Sequence, residues 1–196
     1  MSSFYLDIIK DRLYTEKADS VARRAAQTTM YYILDALVKI LTPMISFTAE
    51  EIWSAMKHTE KENVESPMLA DYPVPNDEWD NKEIAEKWEK IIKVKNIVAK
   101  DLELARAEKT IGNSLDAKVT IYAEGEEYKF LKENEELIKL VLIVSGLEIQ
   151  ENNRKQEEKL GVKVEHATGE KCERCWMYND HLEDGLCPRC KEVLEK

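Results

Sequence analysis

A chain of 196 residues is long enough for one large domain, or for two smaller ones with an appendage, each burying a core. Its 6 glycines and 5 prolines are few beside the many Glu, Lys, Leu and Ile residues, which argues against an all-β protein and for a mainly α fold. The formal charge of -10 counts against nucleic acid on average, yet residues 59–170 hold 26 Asp and Glu against 17 Lys and Arg while both ends are near neutral, so composition leaves an RNA partner open.

A membrane span needs about 18 uncharged apolar residues in a row, and the sequence has none. Asp7, Lys10, Asp11 and Arg12 stand where a signal peptide would carry its apolar stretch. A cytoplasmic protein without a membrane partner is expected.

Phe4, Ile8 and Leu13 recur at near-helical spacing and predict a helix over residues 4–16. An apolar stripe already under way at Phe4 lacks the long helix it would pair with, which suggests an excised fragment. Ser20 is suited to cap a second helix running to about Leu41, with Val21, Ala25, Ile33, Leu37 and Leu41 on one face and Pro43 beyond its end. Thr48 and Glu51 have capping-box spacing and Phe47 and Ile52 staple spacing, so a third helix is expected to begin at Ala49 and to carry Trp53 and Met56. Three helices with short connections predict an antiparallel bundle.

Residues 59–79 are polar, contain Pro67, Pro73 and Pro75, and read as an extended connection. A long helix follows from about Asn81 to Lys109, with Ile84, Trp88, Ile91, Val98, Leu102 and Ala105 along one side. Ala117, Val119, Ile121 and Ala123 alternate with polar residues as in a half-buried strand. Residues 126–140 return to a helical period, the apolar run Leu142 to Ile149 suits a buried strand, and a short strand is expected near Val162 to Val164. No low-complexity tract is longer than the charged stretch near Glu151 to Lys159. The resulting division is a helical bundle with its linker over residues 1–79, a small α+β domain over 80–168, and a C-terminal module over 169–196.

That module holds Cys172, Cys175, Cys187 and Cys190, all the cysteines of the chain. Each Cys-x-x-Cys pair forms a tight knuckle with both thiolates on one side, and two knuckles complete the tetrahedral sulfur shell that zinc accepts. Residues 176–186 between the pairs are enough for a compact hairpin. One structural zinc ion is therefore expected, with no ligand position left for water and hence no catalytic role. Iron in a rubredoxin-like centre is the closest rival; a redox pair would leave the second knuckle surplus, and disulfides suit exported chains.

Arg174, Trp176, Tyr178 and Arg189 lie on or beside the knuckles. Cations next to aromatic rings suit single-stranded RNA, the guanidinium pairing with phosphate and the ring stacking on a base. Trp176 packing against the module or a neighbouring domain is the alternative. Arg23 and Arg24 at the start of the second helix, near Lys10, Arg12 and Lys17, form either a phosphate-facing stripe or a solvated helix face. His58, His166 and His181 are scattered, and no catalytic triad order, phosphate-binding glycine loop or carboxylate pair stands out.

Taken together, Phe4 to Asp7, Lys10 to Tyr14, Arg23 to Gln27, Leu41 to Met44 and Glu50 to Trp53 resemble the anticodon-binding helical domain of class I aminoacyl-tRNA synthetases. The ending Lys171-Cys172-Glu173-Arg174-Cys175-Trp176 with Leu186-Cys187-Pro188-Arg189-Cys190 is similar to the C-terminal zinc module of bacterial-type isoleucyl-tRNA synthetases, and Leu102 to Arg106 with Ile111 to Ala117 to the junction between those parts. The resemblance covers nearly the whole chain.

It implies recognition of the anticodon stem of tRNA(Ile) by a monomer, with Trp176 as a contact and with Arg174, Arg189, Arg23 and Arg24 as further candidates. The family's catalytic signatures, HIGH and KMSKS, are absent, as is room for an editing domain. The chain alone would then be inactive and would depend on the catalytic and editing domains of its parent, which attaches isoleucine to tRNA using ATP. A zinc-stabilised protein-docking module without RNA binding is the alternative reading, and it requires a buried Trp176.

Overall fold

A computed structural model describes residues 2–60, 64–152 and 160–195, so most of the charged stretch from Glu151 to Lys159 lies outside the described residues. The fold is mainly α with a small α+β part, as composition and periodicity predict. The chain divides into two compact units, one formed by residues 16–81 and the other by residues 1–15 together with 82–196.

In the first unit, the Ser20 hydroxyl accepts the Arg23 N–H at 3.4 Å and starts helix α2, Val21–Leu41. Thr42 closes it, its N–H and hydroxyl both donating to the Val38 carbonyl, at 3.0 and 2.7 Å. Helix α3, Ser46–Ala55, begins ahead of the expected Ala49: Ile45 stands at its N-cap without a side-chain bond, and Thr48 lies inside the helix. The expected staple is also absent, since Phe47 is 94% exposed. The backbone turn in which Ile45 N–H bonds to the Leu41 carbonyl already launches the helix, so the capping-box residues are not needed for it.

Val38, Ala49 and Trp53 form the buried core of this unit, with Ile52, Met56, Val64 and Ala70 packed against it. The Trp53 indole N–H donates to the Val64 carbonyl at 3.0 Å, tying the connecting segment to α3. That segment contains short 3₁₀ turns at Pro67–Leu69 and Asp77–Trp79, capped by the side chains of Ser66 and Asn76.

In the second unit, a wide π-type turn at Ser2–Leu6 leads into helix α1, Lys10–Thr15. Phe4 and Ile8 pack into the same core as helix α4, Lys82–Ala107, with the Phe4 and Trp88 rings edge to face at 6.3 Å. The apolar stripe expected to build a three-helix bundle with α2 and α3 thus serves the core of this unit. Hydrophobic period marks which face is buried and is silent on its partner.

Strand β1, Ala117–Ala123, falls where the alternation predicts and is the central strand of a three-stranded sheet in the order β2-β1-β3. Strand β2, Gly146–Glu151, runs parallel to β1, and strand β3, Leu160–His166, runs antiparallel to it with Val119 opposite Val164. A parallel pair needs a crossover, supplied by helices α5, Gly125–Glu133, and α6, Glu135–Leu142. The single helix expected here is split at Asn134, whose side-chain amide donates to the Phe130 carbonyl at 2.8 Å. Ile143 then adopts a left-handed conformation, φ 56°, which ends α6 and delays the strand to Gly146.

Candidate metal centre and the groove beside it

The C-terminal module is a short β-hairpin, strands β4 (Glu170–Lys171) and β5 (Tyr178–Asn179), followed by a tight turn and helix α7, Pro188–Leu194. Cys172 and Cys175 sit in the loop between the two strands. The chain folds back through Trp176, φ 64°, whose N–H bonds to the Cys172 carbonyl at 2.9 Å, and the Cys172 N–H bonds to the Met177 carbonyl at 2.9 Å.

The second knuckle opens α7, with Cys187 at its N-cap, Pro188 in its first turn and the Lys191 N–H returning to the Cys187 carbonyl. Proline suits this place because its missing N–H would find no helical partner there. Between the knuckles, Asp184 and Gly185 both have positive φ, in the manner of a type I′ turn, and Glu183 and Leu186 exchange two backbone hydrogen bonds across it. The Glu173 N–H bonds to the Gly185 carbonyl at 3.0 Å and joins this turn to the first knuckle.

The four Sγ atoms lie within 4.8 Å of one another and can hold a metal ion. Zinc–sulfur bonds of about 2.3 Å in a tetrahedron put neighbouring sulfurs about 3.8 Å apart. The Cys175–Cys187 separation is 3.8 Å, well beyond a disulfide's. Cys172, Cys187 and Cys190 are buried and Cys175 is half-buried.

Burial opposes charging Cys172, but the backbone N–H groups of Cys175, Cys187 and Arg174 prevail and bring its thiol down to about 6. Burial pushes the Cys175 thiol up to about 12 and raises Cys190 as well. A sulfur shell that resists carrying all its charges alone is the donor set that a divalent ion completes.

The arginines of the two knuckles turn inward. Arg189 makes a bidentate pair with Asp11 of α1 at 2.6 and 2.7 Å, and Arg174 donates to the Thr15 carbonyl at the end of α1 at 2.7 Å. Burial would push the Asp11 carboxyl up, but its bonds to Arg189 outweigh that and hold it below the ordinary carboxylate range. Nothing in the local sequence signals these partners, which lie 178 and 159 positions away.

Trp176 points outward and is 61% exposed. It borders a groove of about 750 Å³ with an apolar floor of Leu115, Leu140 and Ile143. Tyr14, 75% exposed, and Lys10 line the same groove from α1, and Lys171 lines it from β4. Of the other candidates, the Arg23 guanidinium donates to the Glu16 carbonyl at 3.0 Å, and Arg24 is exposed on α2 in the first unit. The four cysteines, Trp176, Arg174 and Arg189 are therefore brought together, and Arg23 and Arg24 belong to a different compact unit. The places of Asp11 against Arg189 and of Tyr14 at the groove are set by long-range packing, which the local sequence does not signal.

Residues 1–121 match the family model described as the anticodon-binding domain of tRNA ligase. The whole chain is also similar to isoleucine–tRNA ligases: 47% identical over 209 residues to that of Caldanaerobacter subterraneus subsp. tengcongensis, 49% over 201 residues to that of Caldicellulosiruptor saccharolyticus, and 42% over 209 residues to that of Natranaerobius thermophilus. Each match takes in 100% of this chain but only 21% or 22% of the relative, so the chain spans about a fifth of the length of the relatives it matches. Among the described residues no helix is long and apolar enough to cross a membrane.

Proposed function

Because the chain belongs to the anticodon-binding-domain family of tRNA ligases, we propose that it is the tRNA-binding C-terminal part of an isoleucine–tRNA ligase, acting on tRNA(Ile) in the cytoplasm as a monomer. Its parts are a helical region over residues 1–79, an α+β junction over 80–168 and a zinc module over 169–196. In this reading aminoacylation belongs to the catalytic domain of the parent, with editing in a further domain.

Cys172, Cys175, Cys187 and Cys190 hold one zinc ion, which when bound neutralises part of the thiolate charge and fixes the fold of the two knuckles. The observation that carries the reading is the exposure of the Trp176 indole on a rigid knuckle beside an open groove. A large aromatic ring held out to solvent is a stacking platform for an unpaired base. A module whose task is protein docking would instead have this ring covered. Arg23 and Arg24 supply phosphate contacts from α2, and such contacts make affinity fall as salt rises.

The test is a titration of an isoleucine tRNA and an unrelated tRNA at two salt concentrations, with metal content measured on the same preparation. Preference for the isoleucine tRNA, together with about a 5- to 150-fold loss in Trp176→Ala, is expected from the 1–3 kcal/mol of one base stack. Equal affinity for both tRNAs and for the variant sinks the RNA reading, and iron in place of zinc sinks the metal assignment.

A further inference from the structure

Each knuckle carries an arginine between its two cysteines, Arg174 between Cys172 and Cys175 and Arg189 between Cys187 and Cys190. Each reaches the N-terminal helix α1, Arg174 at the Thr15 carbonyl (2.7 Å) and Arg189 at both oxygens of Asp11 (2.6 and 2.7 Å). We propose that Arg174 and Arg189 are a pair of positioning residues through which the loaded metal centre orders helix α1, and with it the wall of the groove that carries Lys10 and Tyr14.

Charge and geometry both support this. Four thiolates around a divalent ion carry a formal charge of about -2, which the two guanidinium groups on the knuckles partly offset, Arg189 being shared with Asp11. Helix α1 has only six residues, and an isolated helix shorter than about 12 residues is marginal in water. Its last carbonyls lack partners within the helix, and Arg174 supplies one of them. The Thr15 hydroxyl donates to the Asp11 carboxylate at 2.9 Å, so both arginine attachments meet on the same turn of α1. The arginines are in register with α1 only while the knuckles hold their shape, and the knuckles are too short to hold it without the ion.

This inference rests on the metal reading of the four cysteines and is independent of RNA binding. Amide hydrogen exchange across residues 10–15 of the metal-loaded chain, before and after chelation, tests it. Exchange faster by about tenfold or more is expected on metal removal, the scale of a lost charged hydrogen bond. With metal still bound, Asp11→Asn and Arg189→Gln are expected to accelerate the same amides. Cobalt loading gives a second readout: the thiolate-to-cobalt charge-transfer band should stay in place in Asp11→Asn, because Asp11 is no metal ligand, while exchange at 10–15 still accelerates. Metal bound stoichiometrically with exchange at 10–15 unchanged by chelation overturns the proposal alone, whereas a chain that binds no metal overturns the reading beneath it.

Discussion

Ser145 joins the sheet unit's body to the cysteine hairpin: its hydroxyl accepts the Tyr178 N–H at 2.8 Å and donates to the Leu115 carbonyl. Ser145 is itself buried, and its own N–H bonds to the Ala117 carbonyl at the start of β1. One side chain thereby satisfies a donor on β5 and an acceptor beside β1, both half-buried. Ser145→Ala leaves both without that partner and is expected to cost about 1–3 kcal/mol. A lowered urea midpoint at unchanged m-value would show it, and an unchanged midpoint would mean that water replaces the hydroxyl.

Two glycines with positive φ should respond differently to the same substitution. A Cβ at Gly169, φ 83°, would lie 2.3 Å from the Asn179 carbonyl oxygen, in the pairing of β4 with β5, whereas a Cβ at Gly125, φ 58°, meets nothing within 4 Å. Gly125→Ala therefore carries only the left-handed backbone cost of about 1–2 kcal/mol. Gly169→Ala adds a backbone collision and must separate the two strands to relieve it. Thermal melts with metal bound should rank Gly169→Ala clearly below Gly125→Ala, and equal melts would show that the hairpin yields freely.

Much of this organisation is written in local pattern. The alternation from Ala117 to Ala123 specifies β1, the long apolar side of residues 82–107 specifies α4, and the spacing of four cysteines specifies a sulfur cluster that can hold a metal ion. Local pattern fails where a neighbour in space decides. The apolar face of Ile8 is periodic, yet only packing says that its partners are those of α4 and the sheet. The break at Asn134 depends on a side-chain amide competing for a helical carbonyl, which the period of residues 126–140 does not reveal. Arg174 and Arg189 look like phosphate ligands in sequence because their oxygen partners lie on α1, at the far end of the chain.

Asp116 should make stability depend on acid. Burial raises its pKa, but hydrogen bonds from the backbone N–H groups of Asn113 (2.9 Å) and Gly112 (3.1 Å) outweigh that and lower it below the ordinary 3.8. A depressed carboxyl contributes stability that is fully present above its unfolded pKa and lost as pH falls through its folded one. Asp116→Asn keeps an oxygen to accept these bonds but not the charge. The stability gap between wild type and Asp116→Asn should be widest above pH 3.8 and close as pH drops below it; a gap constant with pH would show that the charge contributes nothing.

Trp53 separates the stability of the two compact units. It is 2% exposed within the core of residues 16–81, stacks on His58 at 4.2 Å between ring centroids, and hydrogen-bonds to Val64, while none of its core partners belongs to the cluster around β1. Trp53→Ala removes the largest side chain of a small core and should cost about 3–5 kcal/mol there. Trp53→Phe keeps most of the ring and loses the indole N–H, leaving the Val64 carbonyl without that donor, so a smaller loss of about 1–3 kcal/mol is expected. If each core stabilises its own unit, amide exchange in α2 and α3 should accelerate in both variants while the amides of β1 remain as protected as in the wild type. Equal acceleration in β1 would mean that the units unfold together despite their separate cores, since a cooperative transition spreads a local loss over everything it includes.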